Sequence, residues 1–301
     1  MDVKIGTRKS PLAQIQTDNV IARLQNLFPE HRFLKVLLTT TGDKDQTTAL
    51  SQMAGQGVFV KTIQQKLLTG EIDLAVHSAK DLPSTEPEGL TLAAFPERAP
   101  AGDALILRNE FTTLTDLPEG AVIGTGSLRR QFQLLSLRPD FMIKSLRGNI
   151  DTRLKKLAQK EYDGIMMAQA ALLRHPKALG DFKLHQVSLA LDEFLPAVGQ
   201  GVIAVEAVKN SPAAKIAAAI DDKNVRSAIT CERAFLSVFG VGCNVPLAAH
   251  AKVIGEKIEL STMLGSKTGA SYSLVQVGAN PVILGQNSAR ALQKLANWPL
   301  E

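Results

Sequence analysis

Val3-Lys4-Ile5-Gly6-Thr7-Arg8-Lys9-Ser10-Pro11 and, later in the chain, Ala121-Val122-Ile123-Gly124-Thr125-Gly126-Ser127-Leu128-Arg129-Arg130 follow one plan. A short β-branched run ends at a glycine turn, a hydroxyl side chain and cationic residues follow, and a helical pattern begins. In the first stretch Ser10 reads as the N-cap, Pro11 as the first helical residue, and Pro29 lies beyond the end of a helix over Pro11 to Leu27. The alternation around it predicts strands at Val3 to Gly6, Leu34 to Thr39 and Ile72 to Val76, with a helix at Val58 to Leu68. After Pro118 the same order returns as strands at Ala121 to Gly124, Phe141 to Ser145 and Asp163 to Met167, separated by helices at Leu128 to Leu137 and Ile150 to Gln159. A second local match, GEIDLAVHSAKDL from Gly70 beside KEYDGIMMAQAALL from Lys160, falls at the equivalent place in each copy. Self-similarity in fixed order argues for two similar α/β lobes rather than one large sheet.

The first copy is longer by residues 42–58, rich in Thr, Gln, Gly and Lys, which read as a mobile surface loop able to cover a cleft. From Phe194, FLPAVGQGVIAVEA adds a turn and a strand, and Pro212 opens a helical region. A chain that leaves lobe one, completes lobe two and returns hinges at two crossings, near Pro96 to Gly102 and Leu191 to Pro196. Beyond them come a helix from Asn224 to Val238, alternating runs at Leu247 to Val253, Lys257 to Leu264 and Ser271 to Val277, and a helix from Gln286 to Ala296. The expected fold is α/β: two similar periplasmic-binding-protein-like lobes with a hinge, plus a small α+β C-terminal domain with a three-stranded antiparallel sheet. The expected boundaries are 1–96 with 197–215 for lobe 1, 102–191 for lobe 2 and 218–301 for the C-terminal domain.

The chain has 301 residues, 45% of them hydrophobic, enough for several cores. It opens without a basic segment followed by an apolar run, and no stretch reaches the roughly 18 apolar residues of a membrane span, so a cytoplasmic protein is expected. Cys231 and Cys243 are too few for a disulfide framework, and five histidines without ligand spacing predict no catalytic metal. A net charge of +5 with 5% aromatic residues argues against a nucleic-acid partner. Arg129, Arg130, Arg138, Arg147, Arg153 and Arg174 fall in one stretch, and guanidiniums hold carboxylates by paired hydrogen bonds, so the expected partner is a polyanionic small molecule.

Both glycine turns offer backbone N–H groups and cations to an anion at a helix start; a single one is equally ordinary punctuation, whereas one per lobe places two helix N-termini on one cleft. His77-Ser78-Ala79-Lys80-Asp81-Leu82-Pro83 follows an apolar strand at its carboxyl end, where α/β proteins bind ligands. Asp81 either caps the turn before Pro83 or, beside Lys80, stabilises a cation and passes protons. Arg147 and Arg153 stand six apart around a turn, either solvated or aimed together into the cleft with Arg174. Cys243, in a glycine- and proline-bounded loop, is more accessible than Cys231 inside a helical pattern, which permits covalent attachment.

GTRKSPLA from Gly6, TTGDKD from Thr40, GVFVK from Gly57, HSAKDLP from His77, GTGSLRRQ from Gly124, SLRGNIDTRL from Ser145, LPAVGQG from Leu195 and ERAF followed by GCNVPL together resemble, in order and over nearly the whole chain, the hydroxymethylbilane synthase (porphobilinogen deaminase) family. The resemblance implies a transferase that condenses four porphobilinogen molecules head to tail on a covalent dipyrromethane primer and releases hydroxymethylbilane for tetrapyrrole (heme) biosynthesis. It implies a thioether from Cys243 to that primer and makes Asp81 the catalytic carboxylate, set to contact pyrrole N–H groups and stabilise the azafulvene cation left by ammonia loss. Lys80, Asp81, Asp103, Ser127, Arg129 and Arg130 match primer-binding positions, and Arg8, Ser10, Arg147, Arg153 and Arg174 match positions serving the incoming pyrrole and growing chain. A monomer without nucleic-acid or membrane partner is implied as well. The sequence departs from the family pattern at Gln56, Gly126, Val241 and Gly102; the last stands where the family has an arginine, for which Arg98 is a possible neighbouring substitute. The alternative reading is a non-catalytic two-lobed binding protein for an anionic small molecule, which would be expected to carry an export signal and to need no third domain presenting a thiol. A phosphate-handling transferase lacks a Walker-type lysine.

Overall fold

The computed structural model describes residues 1–39, 60–110, 113–240, 245–266 and 269–298. In the first sheet the strand order is β2 (Arg32–Leu38), β1 (Asp2–Arg8), β3 (Leu74–Ser78), β10 (Ile203–Val208) and β4 (Leu90–Ala94). β1 is parallel to β2 and β3, while β10 is antiparallel to β3 and β4. In the second sheet the order is β7 (Met142–Lys144), β6 (Val122–Gly124), β8 (Gly164–Ala168), β5 (Asp103–Leu107) and β9 (His185–Ser188). There β6 is parallel to β7 and β8, and β5 is antiparallel to β8 and β9. The two sheets are the same object built twice. In each, the fourth place is taken by the strand that has just crossed from the other sheet, so the chain passes between them over 95–102 and again over 189–202.

Helices follow the strands as the sequence pattern predicts. α1 (Pro11–Leu27) starts at Ser10, whose Oγ accepts from the Ala13 N–H, with Pro11 in its first turn. α2 (Lys61–Leu68) buries Ile63 and Leu67 against Ile72 and Ala75 of the first sheet. α3 (Leu128–Leu137) is capped by Ser127 and α4 (Ile150–Ala158) by Asn149. Caps of this kind each contribute about 1 kcal/mol and fix where the helix N-terminus points. β5 and β8 are buried along their whole length, as strands covered on both faces must be. α5 (Gln169–Arg174) and α6 (Lys177–Asp181) complete the second lobe, and α7 (Pro212–Ala218) closes the first lobe's core.

The third unit pairs β11 (Leu247–Ile254), β12 (Lys257–Gly265) and β13 (Ser271–Gly278) as an antiparallel sheet. α8 (Lys223–Phe239) and α9 (Pro281–Leu295) cover one face, where Phe235, Leu260, Leu264 and Leu292 are buried. The two helices touch at Gly285, where an added Cβ would lie 2.3 Å from the Cys231 carbonyl oxygen. Cys231 is fully buried in that contact, and burial together with the neighbouring Glu232 charge pushes its thiol up to about 12, which makes it inert.

The structure corrects the sequence in places. The last helix begins at Pro281, five residues before Gln286, with Asn280 as its cap. β4, β5 and β9 are strands that the alternation does not announce. The expected loop at 42–58, the Gln56 and Val241 departures and the Cys243 thiol lie outside the described residues. No helix among the described residues is long and apolar enough to cross a membrane.

Candidate active site

Asp81 closes a 3-10 turn, Ala79–Asp81, at the carboxyl end of β3. The turn is held from several sides. The Ala79 N–H donates to the Val202 carbonyl at 3.0 Å, and Ser78 and Gln16 exchange side-chain hydrogen bonds at 3.0 and 3.2 Å. Gly199 packs so closely that a Cβ there would lie 3.0 Å from the Lys80 nitrogen, and its φ of +73° favours glycine. Asp81 is exposed into a cavity whose walls include Arg8, Ser10, Gln16, His77 and Ser78. The first helix N-terminus and the Asp81 turn therefore share one space.

Asp103, the first residue of β5, is fully buried and gathers the second lobe's cations. Arg130 donates to Oδ1 through Nε at 3.0 Å and Nη2 at 2.7 Å, and Arg129 Nη2 lies 2.7 Å from Oδ2. The Gln200 amide donates to Oδ1 at 3.0 Å. Burial opposes the ionisation of Asp103, but the Arg129 and Arg130 charges and these hydrogen bonds outweigh it and hold the carboxyl down at about 2. Arg129 also donates to the Leu195 carbonyl at 2.6 Å, while its buried Nε has no hydrogen-bond partner among the described residues.

Lys80 and Arg153 stand where these groups meet. Lys80 is accessible to solvent, yet protein on most sides strips its ammonium of bulk water. That dehydration and the Arg130 charge, against the pull of Asp81 and Asp103, bring it down to about 8. Arg153 is likewise lowered, to about 10, by dehydration and by the Arg130 and Arg147 charges, against the pull of Asp81. Lys80, Arg129, Arg130 and Arg153 thus lie within electrostatic reach of one or both of two carboxylates, Asp81 and Asp103, and Arg147 adds a fifth cation beside Arg153. Two cations depressed by dehydration and by the same neighbouring Arg130 charge mark a place that an anion would relieve.

Other expected residues fall at varied distance from this cluster. Ser127 caps α3, accepting from the Arg130 N–H at 3.4 Å. Arg174, at the end of α5, donates to the Gly201 carbonyl at 2.9 Å, on the second crossing. Arg138 does not belong to the cleft, contrary to its place in the sequence cluster. Its guanidinium binds Asp140 at 2.7 Å and the carbonyls of Leu114 and Leu117, closing the end of α3. Nor does Arg98 substitute at Gly102. Its guanidinium donates to Glu232 at 2.6 Å and to the Gln200 carbonyl at 3.0 Å, and the space beside Gly102 is filled by Gln169.

Residues 3–215 match the family model described as porphobilinogen deaminase, dipyromethane cofactor binding domain, and residues 227–294 match porphobilinogen deaminase, C-terminal domain. The chain belongs to the porphobilinogen deaminase family. The porphobilinogen deaminase of Streptococcus sanguinis is 41% identical over 291 residues, covering 96% of this chain and 95% of its own. That of Clostridioides difficile is 40% identical and covers 98% of both chains, and that of a Roseiflexus species is 44% identical over 93% of this chain and 92% of its own. The resemblance read from the motifs, the enzyme class it implies and the dipyrromethane-binding domain therefore stand. The family's two matched regions correspond to the paired five-stranded sheets and to the α8–α9 unit.

Sequence reasoning missed two residues that organise this family site, Gln200 and Glu232, and gave a third, Arg98, a different task. Gln200, 1% exposed, donates to Asp103, to the Ala101 carbonyl at 2.7 Å and to the Gly102 carbonyl at 3.2 Å, while its Oε1 accepts from Lys80 at 3.5 Å. One amide so links the Asp81 turn, the first crossing and the arginine cluster. Glu232 and Arg98 are the others: Glu232, buried in α8, also accepts from the Gly199 N–H at 2.7 Å and the Ala251 N–H at 2.8 Å. Burial opposes its charge, but Arg98 and His250 hold it at about 2. The signal was present in LPAVGQG and ERAF, but not what each polar side chain would meet.

Proposed function

We propose that this chain deaminates porphobilinogen and condenses four molecules of it head to tail on a covalent dipyrromethane, then releases hydroxymethylbilane by hydrolysis. Family membership supports this reading over the binding-protein alternative. The observation that carries it is the convergence of five cations on a cleft with one solvent-facing carboxylate, Asp81.

The donor set fits a dipyrromethane. Such a group carries several carboxylates, and Lys80, Ser127, Arg129 and Arg130 are the side chains that would hold them, with Cys243 as the point of thioether attachment. Asp103 acts through the two arginines it orients. When bound, the group supplies a nucleophilic pyrrole carbon to which substrate is added. Each charge-assisted hydrogen bond from a guanidinium to a carboxylate contributes roughly 1.5–3 kcal/mol. Arg8 and Ser10, on the cavity wall with Asp81, Arg153, which feels the Asp81 charge, Arg147 beside it, and Arg174, at the second crossing, would bind the acetate and propionate groups of the incoming pyrrole and growing chain.

Asp81 faces the reacting ring. Its carboxylate accepts from pyrrole N–H groups and stabilises the cation formed when the aminomethyl group leaves as ammonia. The ring proton lost after carbon–carbon bond formation passes to solvent or to the departing ammonia, and Asp81 is the group placed to relay it. A growing chain needs room, which two sheets joined by only two crossings can provide by hinging. The boundaries 1–96 with 197–215, 102–191 and 218–301 are the rigid parts of this proposal, which also takes the enzyme to be a cytoplasmic monomer.

The test is single-turnover kinetics of Asp81→Asn and Asp81→Glu with primer content measured on the same samples. The expected result is intact primer with turnover slowed by roughly 100-fold or more in Asp81→Asn. Undiminished turnover would overturn the role given to Asp81.

A further inference from the structure

Beneath the Asp81 turn lies a buried polar network that the reaction as described does not use. His77 is the fourth residue of β3, and its side chain is 4% exposed; that of Glu206, on β10, is 1% exposed. His77 Nε2 lies 3.0 Å from Glu206 Oε2, and Gln64 Nε2 donates to Glu206 Oε1 at 2.8 Å. Each carboxylate oxygen is thus taken by a donor from a different element, β3 for one and α2 for the other.

The geometry points to this network as the positioning anchor of the Asp81 turn. β10 runs antiparallel to β3 with Ala204 opposite His77 and Glu206 opposite Ala75, so the pair is a diagonal lock across that strand junction. On its other edge β10 changes register with β4 between Val205 and Glu206, so the unbroken ladder that fixes the strand is the one with β3, and the His77–Glu206 diagonal reinforces that edge. What β10 positions is the floor of the site: Val202, whose carbonyl takes the Ala79 N–H, and Gly199, which packs on the Lys80 nitrogen, lie just before it. A slide of β10 along β3 therefore moves the turn that carries Lys80 and Asp81. A buried polar pair adds little stability over an apolar replacement, and setting register is the best-attested use of such pairs, which fits this placement. His77, Glu206 and Gln64 are then positioning residues for the deaminase chemistry, acting through the backbone of 78–81. This rests on the role given to Asp81 above.

The decisive variant removes the three polar side chains together, His77→Leu/Glu206→Leu/Gln64→Leu, so that none of the three is left buried without its partner, while Arg233, which feels the Glu206 charge, keeps that of Glu86. Its partner is His77→Gln, whose Nε2 reaches the same carboxylate oxygen. The triple variant is expected to retain primer and to lose roughly 10- to 100-fold in kcat with KM within about twofold of the parent. His77→Gln is expected to recover most of that loss. A folded triple variant with parental kcat would overturn the anchor, as would a His77→Gln enzyme as damaged as the triple variant. Should the triple variant not fold, Gln64→Leu decides: kcat lowered by roughly threefold or more supports the anchor, and unchanged kcat overturns it. Asp81→Asn is measured alongside. An active Asp81→Asn enzyme sinks the Asp81 reading itself, whereas an inactive one beside a fully active triple variant sinks the anchor alone.

Discussion

Replacing Asp103 with Asn should be the most costly single-atom change in the cleft. The substitution keeps the shape of the side chain and removes the charge that balances Arg129 and Arg130, all three being buried. Two routes give the magnitude. The carboxyl is held at about 2 against its ordinary 3.8, which corresponds to about 2 kcal/mol of stability at neutral pH. Removing one partner of a buried ion pair costs about 3–5 kcal/mol, because the guanidiniums left behind remain dehydrated and unbalanced. The second figure is the better guide, since it includes what the arginines lose as well as what Asp103 loses. A drop of the thermal midpoint by roughly 6–15 °C follows. The sign with pH is fixed: a carboxyl with a depressed folded-state value contributes stability fully above 3.8 and loses it as pH falls through about 2. Urea unfolding of parent and Asp103→Asn between pH 2 and 8 should therefore show a gap that is constant from roughly pH 5 upward and narrows steeply below pH 4. A gap under about 1 kcal/mol at pH 7, or one independent of pH down to 2, would refute the counterion role.

The lowered Lys80 ammonium, near 8 because of dehydration and Arg130, should make primer acquisition by primer-free protein weaken as pH rises through about 8, and Lys80→Arg should remove that alkaline limb. The primer-free state is the one to measure, since bound carboxylates would raise the lysine again. Gly199→Ala forces a residue with φ +73° to carry a Cβ against the Lys80 nitrogen; a stability loss of roughly 1–3 kcal/mol in urea and a slower turnover are expected, and parental kcat would show that the turn tolerates the shift. Arg98→Ala leaves Glu232 buried without its nearest cation, so about 3–5 kcal/mol should be lost, with faster amide exchange at residues 199–201 than in the parent.

Local order was legible wherever one segment carried its own signal. Ser10-Pro11 and Ser127 mark helix starts by chemistry that acts within three residues, and both helices begin there. The duplicated turns showed two lobes for the same reason. The place that β5 and β10 take inside their sheets, fourth in order and antiparallel to both neighbours, was not legible, because their partner strands lie elsewhere in the chain and nothing in Asp103–Leu107 says which strands it pairs with. Asn280-Pro281 is a cap and first-turn signal as good as Ser10-Pro11, but Gly285 inside the next turn reads as a breaker until the close approach to Cys231 is seen. At the site, the arginines were visible as a cluster while their division of labour was not. Arg138 closes a loop and Arg129 and Arg130 reach the cleft because of partners, Asp140 and Asp103, whose roles only the fold assigns. Gln200 bridges to Asp103 across 97 positions of sequence, a separation no local pattern reports.

The central claim, that this cleft builds a pyrrole chain on a covalent primer, is tested most directly by the denatured intact mass of purified protein before and after incubation with limiting porphobilinogen, with peptide mapping across Cys243. The account predicts a starting mass raised by two linked pyrrole units on the Cys243 peptide, and after incubation a ladder of species each heavier by one further pyrrole. A chain that stays at its unmodified mass after exposure to porphobilinogen or hydroxymethylbilane would contradict it.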